Sequence, residues 1–341
     1  MKQMMWVFVA LLALAITGCT KKKEEPAPAA ESTAAVEDKK PAAPVEPILP
    51  LPDAADVDMD KVLLGRTLYF DTALSGDGTI SCATCHSMDH GGAEPRKTSI
   101  GINGHVGPIN SPTVLNSSYN FVQFWDGRAA DLQEQAEGPV ANPGEMGATW
   151  DGVVAKLSKD AKYPAEFAKL YEDGVTKANI TDAIAEYEKS LITPSRFDKY
   201  LRGDMTAITD AEKKGYQTFK EVGCTACHTG IIVGGTMFQK LGLVKDYFKD
   251  RGTPVTDADL GRYNVTKKEQ DKHFFKVPTL RNVELTSPYL HDGSRATLEE
   301  TVKLMGTYQL GRDLTDAQVN SIVTFLKTLT GELPAHARPQ G

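Results

Sequence analysis

Four of the five cysteines in this 341-residue chain stand in two copies of the pattern C-x-x-C-H. The copies supply Cys82, Cys85 and His86, and then Cys224, Cys227 and His228. A redox-active cysteine pair does not require a histidine directly after it, and a four-cysteine zinc site leaves both histidines unexplained. Attachment of c-type haem uses all three positions, because the cysteines form thioethers and the histidine becomes the proximal iron ligand. The spacing therefore predicts two haem c groups.

Each predicted iron has a second axial position, where histidine and methionine are the usual ligands. Met305, which we expect at the end of a capped helix, is a candidate for the second haem, and His105 in the loop GINGHVGPIN is a candidate for the first. His90 lies only four residues from His86, too close in sequence to reach the opposite face of the same haem. The alternatives are a methionine that fills the core and a histidine exposed on a loop.

The composition is that of an ordinary globular protein, with 41 % hydrophobic and 24 % charged residues. The net charge is −7, with acidic and basic residues interspersed. Binding to nucleic-acid phosphates requires concentrated lysine and arginine, so the composition argues against a nucleic-acid partner.

The N-terminus has the pattern of an export signal. An apolar run follows Lys2 and ends in ITGC at Cys19, which resembles the lipobox of bacterial lipoproteins. We expect residues 1–19 to be a lipoprotein signal peptide, with the lipid on Cys19, and residues 20–52, rich in Ala, Pro, Lys and Glu, to form a flexible tether. An ordinary signal peptide with a chance cysteine is the alternative. The lipobox predicts a membrane-anchored protein of the periplasm.

The rest of the sequence predicts a mainly helical body. Capping boxes begin at Thr209, Thr297 and Thr315, and apolar residues follow at helical spacing. Long stretches rich in Gly, Asn and Pro connect the predicted helices, and loops of that length usually cover something functional.

An internal repeat relates the two halves of this body. SPTVLN at Ser111 matches VPTLRN at Val277, and FWDGRAADLQE matches LHDGSRATLEE, both at an offset of 166 residues. A shared offset indicates a duplicated unit. We therefore predict an N-terminal domain over 53–205, a C-terminal domain over 206–332 and a tail over 333–341.

These motifs resemble those of the bacterial di-haem cytochrome c peroxidases, the family that also contains the MauG-type enzymes. The resemblance extends from about residue 56 to residue 331 and rests on SPTVLN, FWDGRAADL, PVANPGEM, GCTACH, GRYNVTK, PTLRNVELTSPYLHDG and the late methionine. It implies two class I cytochrome c-like haem domains. The N-terminal domain would carry a low-potential haem where peroxide reacts, and the C-terminal domain a high-potential haem that receives electrons.

The resemblance implies His228 and Met305 as axial ligands of the high-potential haem, since thioether ligation favours ferrous iron. It implies His86 as the proximal ligand of the low-potential haem, with a distal histidine that leaves when the other haem is reduced. That histidine usually follows directly after SIG, but position 102 is isoleucine here. Either His105 takes this role or the site is already open, and we favour His105.

The resemblance also implies which groups handle peroxide and electrons. Glu145 in GEM would move the proton between the peroxide oxygens, and Gln135 in LQEQAEGP would hold them by hydrogen bonding. Trp125 in FWDG would lie between the haems and couple electron transfer, although a buried interface aromatic is the plain alternative.

A calcium ion between the domains is a further implication of the resemblance. The side chain of Asn110 and the main-chain carbonyls of Thr286 and Pro288 would bind it, since calcium prefers such oxygen ligands. Relatives are often dimers, so a homodimer is also implied.

The implied activity is that of a cytochrome c peroxidase, which reduces hydrogen peroxide with electrons from a small c-type cytochrome or a cupredoxin. The alternative is a periplasmic electron-transfer protein with incidental peroxidase activity, because the same haems serve both roles. Oxidation of a partner protein in the MauG manner is disfavoured, since Met305 stands where that branch has tyrosine. A structural lipoprotein leaves both haem sites unexplained.

Overall fold

The computed structural model describes residues 46–339, and this part of the chain is mainly helical. The α-helices are α1 Met59–Phe70, α2 Cys82–Cys85, α3 Leu132–Ala141, α4 Trp150–Leu157, α5 Tyr163–Ala168, α6 Lys177–Ser190, α7 Arg196–Leu201, α8 Asp210–Val222, α9 Tyr247–Arg251, α10 Tyr263–Thr266, α11 Leu298–Gln309 and α12 Asp316–Leu326. A short antiparallel pair, β1 Phe238–Lys240 and β2 Phe274–Lys276, lies in the second half. Between residues 46 and 339, none of the helices is both long and apolar enough to cross a membrane.

The first half is built on the crossing of α1 and α6. Gly65 lies at this crossing, and a Cβ atom there would come within 1.8 Å of the carbonyl oxygen of Ala183. Only glycine lets the two helix backbones approach so closely. Helices α3, α4 and α5 pack around the pair, and the core that results contains Leu68, Phe167, Ile180 and Ile184.

The second half repeats this arrangement with α8 and α12. Gly215 lies where the two helices meet, and a Cβ atom there would come within 2.2 Å of the carbonyl oxygen of Ser321. The aromatic side chains of this core are Phe197, Tyr216, Phe219 and Phe325. Each half therefore has a glycine-mediated helix crossing and a core of its own.

Further features recur at the offset of 166 residues. Asn116 and Asn282 both adopt the left-handed conformation, with φ of 59° in each case. Isolated bridges join Gln123 to Ala129 in the first half and Tyr289 to Arg295 in the second.

The two asparagines meet at one residue. The side-chain amides of Asn116 and Asn282 both donate to the hydroxyl of Thr193, each at 2.8 Å. Thr193 is fully buried, so this shared acceptor ties matching turns of the two halves together in the interior.

Residues 46–52 belong to the folded body, which corrects the predicted end of the tether at residue 52. Ile48 and Leu51 are buried, and the Leu51 amide donates to Asp198 Oδ1 at 2.7 Å. Ile48 forms a parallel bridge with Gly230. The apolar stretch ILPL can therefore repay its ordering entropy by burial. The predicted signal peptide, Cys19 and residues 20–45 lie outside the described residues.

The predicted tail packs against the first half of the chain. Ala337 is buried, and its carbonyl accepts a hydrogen bond from the Tyr187 hydroxyl at 2.7 Å. The Arg66 guanidinium donates to the carbonyls of His336 and Arg338, each at 3.3 Å. The C-terminal residues of the described chain are thus hydrogen-bonded to helices α1 and α6 of the first half.

Candidate functional site

The second C-x-x-C-H segment opens into a large, mostly apolar cavity. Cys224, Cys227 and His228 line one part of it, and Met305 lines another. Met305 is inside α11, which continues to Gln309, so the expectation that it ends a helix is wrong. The cavity nevertheless brings together the two thiols, the imidazole and the thioether that the sequence predicts for one haem.

His228 is oriented by the backbone of its own loop. Its Nδ1 lies 3.1 Å from the carbonyl oxygen of Val233, and an imidazole nitrogen bonded to a carbonyl must carry the proton. Burial lowers the pKa of His228 to about 4, so the ring is neutral at pH 7. Nε2 is then left with its lone pair, as a proximal metal ligand requires.

The cysteines of both segments are partly buried thiols. Burial raises the pKa of Cys82 and Cys224 to about 12 and that of Cys85 to about 11. Thiols with raised pKa values are not the thiolates that disulfide exchange requires. Their surroundings therefore disfavour a redox-active cysteine pair.

The first C-x-x-C-H segment is held against α1. The Tyr69 hydroxyl donates to the carbonyl of His86 at 2.8 Å, and Cys82 packs against the apolar cluster that contains Tyr69. His86 Nδ1 is buried without a hydrogen-bond partner among the described residues. Burial also lowers the pKa of His86, so its ring is neutral. A neutral imidazole beside two thiols, with a buried Nδ1 that lacks a hydrogen-bond partner, fits a haem ligand.

Glu145 and His105 lie on adjacent loops. The Ile102 amide donates to the carbonyl of Glu145 at 2.9 Å, and the His105 ring lies against Gly144. His105 is exposed. The loop thus places His105 beside the predicted proton-transfer residue.

The Glu145 side chain is half-buried. Burial raises its pKa, while Arg128 and a 2.8 Å hydrogen bond from the Asn142 amide act in the opposite direction. After burial and the charge of Glu94, the charge of Glu145 also contributes to the raised pKa of Cys85. A carboxyl group with a raised pKa beside a cofactor segment is suited to proton transfer near neutral pH.

Helix α3 supports the Glu145 loop. The amides of Met146 and Ala148 donate to the carbonyls of Pro139 and Val140 at 3.2 and 2.9 Å. Gln135 lies on the same helix, one turn earlier, with a half-buried side chain. The two residues predicted to handle peroxide therefore belong to one helix and the loop that it anchors.

Trp125 lines the cavity of the second half, although it belongs to the first half of the chain. Its Nε1 donates to the carbonyl of Asn110 at 2.9 Å, and its ring meets Phe275 edge-on with 6.4 Å between centroids. The indole is thus fixed on both sides, where the two halves meet.

The residues predicted to bind calcium line the same cavity. These are Asn110, Thr286 and Pro288. Asn110 is buried, and its side-chain nitrogen donates to the carbonyls of Arg96 and Lys97 at 3.2 and 3.3 Å. All three belong to the lining of the cavity at the meeting of the halves.

An ionic network behind Trp125 was not predicted as a unit. Asp259 Oδ1 accepts hydrogen bonds from Arg251 and His291, both at 2.8 Å, and His291 stacks on Phe275 at 4.4 Å. Burial alone would raise the pKa of Asp259, but the Arg251 and His291 hydrogen bonds hold it far below its usual range. The signal in the sequence was the repeat, which aligns His291 with Trp125.

Comparisons with known proteins agree with this arrangement. The family model for di-haem cytochrome c peroxidase matches residues 59–206. Cytochrome c551 peroxidase of Nitrosomonas europaea is 48% identical over 86% of this chain and 87% of its own length. Cytochrome c peroxidase Ccp of Escherichia coli K12 is 54% identical over 84% of this chain, which spans only 61% of that protein.

A solved structure also resembles the chain. A MauG-like protein associated with microbial copper homeostasis superimposes with a TM-score of 0.71 at 29% identity, covering 86% of this chain and 96% of that protein. The chain therefore belongs to the di-haem cytochrome c peroxidase family.

Proposed function

We propose that this chain reduces hydrogen peroxide with electrons from a small c-type cytochrome or a cupredoxin, by the reaction H2O2 + 2 H⁺ + 2 ferrocytochrome c → 2 H2O + 2 ferricytochrome c. The observation that carries the proposal is the meeting of the second C-x-x-C-H segment, Met305 and Trp125 in one cavity. The relatives named as cytochrome c peroxidases support it.

The donor sets in both halves fit covalently bound haem. Their cysteines would form the thioethers, and His86 and His228 would be the proximal ligands. In the C-terminal half Met305 would bind the haem iron together with His228, and in the N-terminal half His105 would be a displaceable ligand. When bound, the haems would supply the redox chemistry, one by receiving electrons and the other by reacting with peroxide.

The chain itself would supply proton transfer and positioning. Glu145 would take the proton from one peroxide oxygen and return it to the other, and Gln135 would hold the oxygens by hydrogen bonds. Trp125, fixed between the halves, would couple them for electron transfer.

Steady-state turnover tests this proposal directly. Purified protein with both haems should oxidise a reduced small cytochrome in a peroxide-dependent manner, well above the rate of the uncatalysed reaction. A rate no higher than the uncatalysed one, with both haems present and reducible, would instead favour the electron-transfer alternative.

His105→Gly is expected to make the fully oxidised protein active without prior reduction, because the residue proposed to occupy the peroxide position is gone. The measurement compares the initial rate of the oxidised variant with that of the reductively activated wild type. His90→Gly is the matched control, since His90 is also an exposed histidine of the first half. Wild-type behaviour of the His105 variant would show that another group, or none, controls access.

We also infer that the two halves are class I cytochrome c-like domains that arose by duplication. The paired helix crossings, the equal φ values of Asn116 and Asn282 and the matching bridges support this inference. The proposed boundaries are 53–205 and 206–332, with residues 46–52 and 333–339 packed against them.

The remaining proposals concern the surroundings of the enzyme. Calcium bound by Asn110, Thr286 and Pro288 would hold the two halves together, and the presence of all three residues in one cavity lining supports this proposal. The lipobox-like ITGC supports a lipid anchor at Cys19 and a periplasmic location. A homodimer is proposed by analogy with the family alone.

A further inference from the structure

Lys276 is a buried cation in the cavity beside the second C-x-x-C-H segment. It ends β2, and only 7% of its surface is exposed. Of the described residues that line this cavity, Lys276 is the one that is a lysine, arginine, aspartate or glutamate. A buried charge is costly unless an opposite charge or several hydrogen bonds compensate it.

The contacts of Lys276 do not provide that compensation. Its Nζ donates to Asn120 Oδ1 at 3.3 Å, which is a long bond to a neutral group. Burial lowers its pKa to about 8, and no carboxylate contributes to the shift. The backbone amide donates to the carbonyl of Trp125 at 2.8 Å, so the residue is held in place at the meeting of the halves.

We propose that Lys276 binds a carboxylate of the haem attached at Cys224 and Cys227. This inference rests on the proposed haem content. Haem c carries two propionate carboxylates, and an ammonium–carboxylate pair in an apolar cavity removes the cost that each charge alone would bear. Since Lys276 shares the cavity with His228 and Met305, haem bound there supplies the missing anion.

The ion pair has an expected electrostatic consequence for the iron. Ferric haem has one more positive charge than ferrous haem, so a nearby cation favours the reduced form. Loss of the ammonium leaves the carboxylate unbalanced, which favours the oxidised form and lowers the midpoint potential. Without the neighbouring cation the pKa of the carboxylate also rises toward neutral pH.

Other titratable and charged groups near Lys276 also affect the electrostatic potential at its side chain. The cavity lining contributes His228, Tyr289 and His291, and segments hydrogen-bonded to the strand and its neighbours contribute Asp126, Lys240 and Arg262. Lys240 is on the paired strand but is more exposed than Lys276 and does not line the cavity. It is therefore the matched control for loss of one positive charge.

The test is a potentiometric titration of the two-haem protein as wild type, Lys276→Gln, Lys276→Arg and Lys240→Gln. We expect Lys276→Gln to lower the midpoint of the C-terminal haem by an amount equivalent to at least a tenfold change in the ferric/ferrous ratio, about 59 mV. Its midpoint should also become more dependent on pH. Lys276→Arg and Lys240→Gln should remain near the wild type.

The outcomes separate this inference from the proposed function. Equal midpoints for Lys276→Gln and Lys240→Gln would overturn the ion pair, whatever the peroxidase rate. A selective shift in a protein without peroxidase activity would support the ion pair and reject the proposed enzyme. If Lys276→Gln fails to bind haem, Lys276→Arg is the deciding variant because it keeps the positive charge. A midpoint potential of Lys276→Arg whose pH dependence differs from that of the wild type would contradict the inference.

Discussion

Glu145→Gln is expected to lower kcat for peroxide reduction by about 10²- to 10³-fold, in line with the loss of a general acid–base group. Glutamine can keep the hydrogen bond to Asn142 but cannot accept the proton that Glu145 is proposed to move. The measurement is steady-state oxidation of a reduced small cytochrome by peroxide, with haem content and optical spectra recorded for both proteins.

The control for this prediction is Glu137→Gln. Glu137 lies on α3, pairs with Lys177 at 2.6 Å and keeps 39% of its side chain exposed. Its replacement should leave kcat near the wild-type value. Unchanged turnover in Glu145→Gln would mean that a different group transfers the proton.

The pH dependence should separate the two variants as well. The base form of Glu145 is present above its pKa, and burial raises that pKa. The acid limb of kcat/KM should therefore lie at higher pH in the wild type than an ordinary glutamate would place it. That limb should be missing from Glu145→Gln and kept in Glu137→Gln.

Arg281→Met is expected to reduce the free energy of unfolding by about 3–5 kcal/mol, as when one partner of a buried ion pair is removed. Arg281 and Asp198 have fully buried side chains, with 2.7 Å between Nη1 and Oδ2. Arg281 also donates to the carbonyls of Ile231 and Leu49 at 2.8 and 3.1 Å. Urea denaturation followed by circular dichroism measures the loss.

Lys303→Met provides the comparison for this loss. Lys303 pairs with Asp316 at 2.7 Å, but their side chains are 54% and 83% exposed. Exposed pairs contribute little, so its stability should stay within about 1 kcal/mol of the wild type. A similarly small effect for Arg281→Met would show that water reaches Asp198 or that the pair does not form.

The positions proposed to bind haem could be read from the sequence because covalent attachment requires a fixed local spacing. The first residues of helices could also be predicted from sequence, and the capping boxes at Thr209 and Thr315 are confirmed. Thr297 caps α11 as predicted, but the Glu300 carboxylate accepts from the Ala296 amide instead of completing the box. Each of these features depends on residues no more than four positions apart.

The features that sequence reasoning missed depend on distant contacts. The burial of Lys276 follows from strand pairing with Phe238 and from the approach of the Trp125 loop. Asp259 and His291 become partners only because the chain folds back between them. No local pattern distinguishes such residues from ordinary surface charges, so only the folded structure reveals them.

The packing of residues 336–338 on α1 and α6 has a consequence for biogenesis. Domains generally begin to fold in order of synthesis, with the N-terminal one first. The first half nevertheless lacks its contacts with the Ala337 and Arg338 carbonyls until these late residues are also free to fold. A bulky insertion directly after this segment would therefore disturb the early-folding half, although it lies far from that half in the sequence.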